Sequence, residues 1–352
     1  MARPRYFYRG ENSYAWIITL VASALVALIL IGVWLFYDMQ QYIVYDKDGV
    51  RVVRPSELGT EELTGGEAAE AEARPFTPVD VELVVDKADY SDFTGTDGSG
   101  LNALHARYVG AESVTDTILG AYAANMGPYN ALVLQLKGPS GLLAYHSRVA
   151  LANSYDVNGT AELAERVAKL RENGAYLVAE LSALTDGAMA VRNTPAAMRN
   201  AGSGKVYLKN GQAWLDPYNG VTREYLSALM EELAELGFDE VLLTGLWLPE
   251  DEQLAYSAQM TATPDAASAV SSLAVYLRGR ADALGLRLSV EWAGQTSQDA
   301  ALFFRAFDRV VYPWGDAEAY AALSAMPGTE RTGRLVASAL AVAPQSESYI
   351  VR

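Results

Sequence analysis

No charged residue interrupts the chain from Asn12 to Tyr37, and the heart of that run reads AWIITLVASALVALILIGVWLF. An apolar helix of about 20 residues is enough to cross the hydrocarbon layer. The pattern therefore predicts a transmembrane anchor over 12–37, after a tail at 1–11. Arg3, Arg5 and Arg9 precede the run, while Asp38, Asp46 and Asp48 follow it. The basic flank is expected to stay in the cytoplasm, which leaves everything downstream extracytoplasmic on a single-pass membrane protein. A cleaved signal peptide is the alternative. Its apolar segment would be shorter, about 7–15 residues, and would end in small residues rather than Trp-Leu-Phe-Tyr-Asp. Residues 38–79 then change character. ELGTEELTGGEAAEAEARPFTP carries few large apolar side chains and reads as a flexible acidic linker.

From about residue 80 a different rhythm sets in. Strand-length apolar runs alternate with helix-period segments. The strands are 103–109, 131–137, 175–181, 240–248, 286–292 and 309–313, with 334–340 as a further candidate. Between them the helical stretches are 113–126, 160–174, 221–237, 266–284, 298–307 and 316–325. Thr160 is the expected N-cap of the second, and Gly174 and Gly237 are helix stops. Repeated strand–helix alternation implies a parallel sheet with helices outside. Seven or eight such strands across 80–352 suit an α/β, TIM-like (β/α)8 barrel, or a degraded version of one. No phosphate-cradling glycine loop opens any helix, which disfavours a nucleotide-binding doubly wound sheet. Residues 182–215 are irregular and are expected to form a loop over the barrel mouth.

Composition narrows the chemistry. Hydrophobic residues make up 51% and charged residues 20%, enough for a large core. The 43 acids against 27 bases give a net charge of −16, which repels a phosphate backbone and excludes nucleic acid as a partner. There is no cysteine, so disulfides, zinc–thiolate sites and a thiol nucleophile are excluded. Only His105 and His146 remain for imidazole chemistry. His105 is expected in the core or at the rim, and His146 at the surface. No cofactor is implied.

In such barrels chemistry sits at the C-terminal ends of the strands. The polar and aromatic side chains expected there are Gln135, Lys137, Glu180, Thr244, Trp247, Glu291, Trp292, Tyr312 and Trp314. Asp216 lies before a helix. Glu180 and Glu291 form the candidate catalytic pair, since glycoside hydrolysis needs two carboxyl groups across a sugar. Lys137, Trp247, Trp292, Tyr312, Trp314 and Asp216 are the candidate substrate-binding residues, the tryptophans through stacking on sugar faces. Each also has a structural reading. Lys137 can pair with Glu180, Asp216 can cap the helix that follows, and the tryptophans can pack over the barrel end.

The segment KVYLKNGQAWLDPYNGVTREYLSALMEELAELGFDEVLL resembles a bacterial glycoside hydrolase domain family of unknown specificity and barrel fold. Trp214, Asp216, Pro217 and Tyr218 match that family's W-[VL]-[DN]-P-Y segment. Glu235 to Glu240 match its E-L-G-F-D-E. ALVLQLKGPSGLLAYHS, SVEWAGQ and RVVYPWG are looser matches in the expected order. The departures concern key acids. Gln135 and Thr244 stand where the family carries strand-end carboxylates, Trp247 where it carries Arg, and Glu180 where it carries Arg. Amide and hydroxyl side chains cannot serve as general acid or carboxylate nucleophile. The resemblance therefore implies a barrel that binds carbohydrate or a cell-wall polymer with hydrolysis reduced or lost. An active hydrolase on Glu291 and Glu180, and a ligand-free structural domain, are the competing expectations.

Overall fold

The computed structural model describes residue 90, residues 92–257 and 265–352, and the backbone of one hairpin in the first half of the expected linker. The chain divides into two units, Met1–Pro78 and Val79–Arg352. In the first, Ile43–Asp46 pairs antiparallel with Gly49–Val52. The apolar run 12–37 lies outside the described residues. Among the described residues no helix is long and apolar enough to cross a membrane.

The second unit is a closed barrel of eight parallel strands in sequential order. They are β1 (His105–Val109), β2 (Ala131–Lys137), β3 (Tyr176–Ser182), β4 (Glu240–Thr244), β5 (Arg287–Glu291), β6 (Arg309–Pro313), β7 (Leu335–Ala339) and β8 (Tyr349–Val351). The sheet closes because β8 pairs with β1, with Tyr349 opposite His105 and Ile350 opposite Ala106. The helices are α1 (Asp116–Ala124), α2 (Ala150–Ser154), α3 (Ala164–Glu172), α4 (Gly187–Arg192), α5 (Gly220–Leu236), α6 (Ala266–Leu284), α7 (Ala300–Ala306) and α8 (Ala317–Ser324). No helix joins β7 to β8; residues 340–348 make that crossing.

Strand side chains alternate between two cores, as the pleat requires. Ala106, Val133, Val178, Leu242, Val311, Val336 and Ile350 fill the barrel interior. Their neighbours, such as Leu132, Leu177, Val241 and Val310, face the helices. On α5 the side chains of Tyr225, Leu226, Leu229, Met230 and Leu233 are buried against the sheet. Each fully buried side chain of this size contributes roughly 1.5–3 kcal/mol. The starts of α4 to α8 are set by carboxylate or amide caps. Asp265 accepts from Ser268 N, Asp299 from Leu302 N and Asp316 from Ala319 N. α5 and α6 stop at Gly237 and Gly285, both left-handed.

Two local expectations are corrected. α3 begins at Ala164 after Leu163, so Thr160 is not its cap. Asp216 does not cap α5; Asn219 does, accepting from Val221 N. Asp216 is fully buried and instead ties two loops, accepting from Tyr218 N at 2.9 Å and from Ser257 N at 2.7 Å.

The irregular stretch after β3 packs rather than dangles. Lys137 is fully buried and pairs with Asp186 at 2.7 Å, not with Glu180. The cause is a β-bulge in β2 between Gln135 and Lys137. One extra residue reverses the alternation, and Lys137 lands opposite the outward-facing Leu181. Asp186 also caps α4 through Met189 N at 2.8 Å. Gly141, at φ +81°, makes room for that carboxylate, since a Cβ there would fall 1.8 Å from Asp186 Oδ1. Backbone bonds from Gly187 N to Pro139 O and from Ala188 N to Ser140 O complete the fastening. The Gly-Pro-Ser-Gly turn is thereby locked to the loop beyond β3.

Candidate active site

Inward alternation brings Tyr108 of β1, Gln135 of β2, Glu180 of β3, Glu291 of β5 and Ser338 of β7 to the C-terminal end of the barrel. Arg352, one residue beyond β8, continues its parity and also points inward. Its Nη2 donates to Glu180 Oε2 at 3.1 Å and to Glu291 Oε1 at 3.2 Å. Those two contacts, 3.1 and 3.2 Å to a single nitrogen, put the two carboxylate oxygens no more than about 6.3 Å apart. Arg352 Nε donates to Ser338 Oγ at 2.9 Å, and its guanidinium lies 4.6 Å from the centre of the Tyr108 ring. The pairing Glu180–Glu291 expected from sequence therefore assembles, with a cation between its members.

The two acids have different surroundings. Glu180 is buried and accepts from Tyr108 Oη at 3.0 Å, from Gln135 Nε2 at 3.3 Å and from Arg352. Glu291 keeps 33% of its side chain exposed and accepts from Arg352. Burial pushes the Glu291 carboxyl above its ordinary range; Arg352 works against this and the charge of Glu180 adds to it. Burial, reinforced by Glu180, also raises the Tyr108 phenol, so it stays a donor. For Arg352 burial opposes the charge, but Glu180 and Glu291 outweigh burial and hold it above its usual value. A carboxyl raised by burial beside a second acid is an arrangement that glycoside hydrolysis uses. A guanidinium bonded to both acids occupies the gap in which that reaction needs its sugar.

The remaining expected residues scatter. Thr244 ends β4, and Trp247 lies beyond it, edge-on to Trp214 at 5.3 Å. Trp247 and Trp214, together with Pro249 and Gln295, line a rim pocket of about 280 Å³. The Trp214 ring is buried, and its Nε1 has no hydrogen-bond partner among the described residues. Trp292 is buried against Phe303 with ring centres 6.2 Å apart, so it packs the barrel end and does not face the mouth. Tyr312 is also moved. Val311 faces inward, which turns Tyr312 outward onto Tyr320 of α8 at 5.7 Å. Trp314 follows it to the outer side and is 47% exposed. His105 sits at the β1–β8 seam, stacked on Tyr349 at 4.8 Å, and His146 is exposed. Among the described residues no cluster of three or more His, Asp or Glu side chains has the geometry to hold a metal.

Tyr108 and Arg352 were missed in the sequence. Tyr108 was readable as a strand-end phenol, because β1 was expected. Arg352 follows a strand of three residues that carries no period-2 signal of its own.

The second unit is thus a sequential eight-stranded parallel barrel with two acids at its C-terminal end. The family described as "Putative glycosyl hydrolase domain" matches residues 105–301, more than half of the chain, and the chain belongs to that family. No curated protein matches the sequence. Among solved structures, a hypothetical protein from Ruminiclostridium thermocellum is 21% identical over 52% of this chain and 95% of its own, with a TM-score of 0.46. Aspergillus fumigatus Ega3, in complex with galactosamine, is 10% identical over 68% of this chain and 76% of its own, at 0.43. An exo-β-N-acetylglucosaminidase from Vibrio harveyi, with N-acetylglucosamine bound, is 11% identical over 68% of this chain and 41% of its own, at 0.48.

Proposed function

We propose that this chain is a membrane-anchored, extracytoplasmic barrel that binds carbohydrate or cell-wall polymer and has reduced or lost hydrolysis. The observation that carries the reading is the Arg352 guanidinium between Glu180 and Glu291. A retaining hydrolase places the anomeric carbon between carboxyl groups about 5–5.5 Å apart, and an inverting one uses about 6.5–9.5 Å. Here the gap holds a nitrogen that bonds to both. Gln135 and Thr244, where the family carries acids, remove other candidates for acid or nucleophile. Trp247 in the rim pocket supplies a stacking face, and Gln212 and Gln295 beside it supply polar groups, which suits a sugar. The anchor rests on the apolar run 12–37 and its basic flank.

The second reading is active hydrolysis with Glu291 as general acid and Glu180 as its partner. It draws on the raised Glu291 carboxyl beside a hydrogen-bonded Glu180. The deciding experiment sets the full chain and its Glu291→Gln variant against a panel of polysaccharides and peptidoglycan. Polymer retention without turnover is the expected result. Turnover that vanishes in Glu291→Gln would overturn it in favour of the hydrolase. Protease protection of intact cells would settle the side of the membrane, with degradation of the 80–352 region expected from outside.

A further inference from the structure

The barrel has a second concave surface away from its mouth. The β7–β8 crossing lacks a helix, and beside it lies a groove of about 520 Å³. One wall is α8 with Tyr320. Another is the outward side of β6 with Tyr312 and the turn carrying Trp314. Gln345, Ser346 and Glu347 of the crossing close it. Tyr312, Trp314 and Tyr320 come from β6, the turn after it and α8, and they share one groove because Tyr312 is turned out of the barrel. Trp314 is 47% exposed and Tyr320 51%, an unusual outlay of aromatic surface on an acidic protein.

We infer that this outer groove is a second carbohydrate-binding site, separate from the mouth and selective for neutral or amino sugars. The inference rests on the reading of the chain as a sugar-binding protein. Three features specify the ligand class. Aromatic faces beside polar side chains suit a ring with C–H faces and hydroxyl edges. Gln345, Ser346, Asp316 and Glu347 supply polar groups around them. The charge is negative: Asp316 and Glu347 face the groove, and its arginine, Arg331, is already paired with Asp97 at 2.8 Å. An acidic wall disfavours uronates and phosphates and favours an ammonium or a neutral hydroxyl. The volume accommodates one or two sugar rings, within the usual range of small-molecule sites.

The test is a pull-down of the detergent-solubilised full chain on chitin, chitosan, cellulose and polygalacturonate, with Trp314→Ala, Tyr320→Ala and Trp247→Ala alongside. Both outer positions are about half exposed, so the first two variants are expected to keep the wild-type melting temperature. The inference expects retention on at least one neutral or amino polymer and none on polygalacturonate. It also expects at least a ten-fold weaker apparent affinity in both Trp314→Ala and Tyr320→Ala. A loss confined to Trp247→Ala overturns the outer site and leaves the mouth reading intact. A loss confined to the two outer variants sustains the inference and removes the mouth as the polymer site. Wild-type retention that none of the three variants alters, a preference for polygalacturonate, or no wild-type retention on any polymer overturns it.

Discussion

Arg352 is the side chain on which the mouth turns. It neutralises two acids that would otherwise repel each other, and Glu180 is too buried to rely on water. Removing it should therefore act on both neighbours. In Arg352→Gln the downward influence on Glu291 is gone, so that carboxyl should titrate at higher pH than in the parent, read by carboxyl-carbon NMR. Stripping a partner from a buried pair typically costs about 3–5 kcal/mol. Tyr108 and Gln135 still bond Glu180, which places the expected loss at the low end. The raised Glu291 carboxyl also has a signed effect on stability. Near pH 4 and below, folded and unfolded carboxyls are both protonated and nothing is lost. As pH climbs through the folded-state value, ionisation in the buried setting weakens the fold. Glu291→Gln, which mimics the protonated form, should melt higher than the parent at pH 8 and equal to it near about pH 4. A melting difference that grows toward acid pH would refute this.

At the level of elements, the bulge in β2 has the larger consequence. It converts Lys137 from a mouth residue into a buried tie to Asp186 and so fastens the loop after β3. Asp186→Ala should strand an ammonium in the core and cost about 3–5 kcal/mol in thermal or denaturant unfolding. Gly285→Ala is a milder probe. Nothing lies within 4 Å of the missing Cβ, so only the left-handed φ of +68° opposes it, at about 1 kcal/mol.

The same elements mark what could be read in advance. Seven strands and the six longer helices follow from period-2 and period-3.6 patterning, with ends shifted by a few residues. β8 did not, because three residues are too few to show a period. With it went Arg352, and so the defining feature of the mouth. The bulge had no sequence mark either, since LQLKG reads as plain alternation. Tyr312 and Trp292 were misplaced for another reason. Nearness to a strand end says nothing about parity, and one residue of phase decides between mouth and outer core. Glu180 and Glu291 meet at the mouth because both share the inward phase and need no bulge to reach it.

Across the whole barrel, polar layers sandwich an apolar waist. At the N-terminal end, Glu240 accepts from Tyr176 Oη at 2.8 Å, from Ser289 Oγ and from Arg309 Nε at 3.0 Å. Ala106, Val133, Val178, Leu242, Val311, Val336 and Ile350 form the waist, and Arg352 sits among the acids above it. The lower layer is a stability device remote from the mouth. Glu240→Ala should leave Arg309 buried and unpaired and cost about 3–5 kcal/mol, while polymer retention by the surviving folded fraction stays unchanged.

The seam between β1 and β8 carries a further implication for how the molecule is made. Leu104 N bonds to Ser348 Oγ across 244 residues of sequence. Vectorial synthesis releases β1 first, and its outer edge has no partner until Tyr349–Val351 emerge. Through that interval the nascent chain exposes two raw sheet edges, on β1 and later on β7, of the kind that recruit neighbouring chains. Sealing them is a contact of extreme sequence separation, and such contacts are slow to form. The barrel's shortest strand thus sets the length of the window in which a newborn chain is open to aggregation.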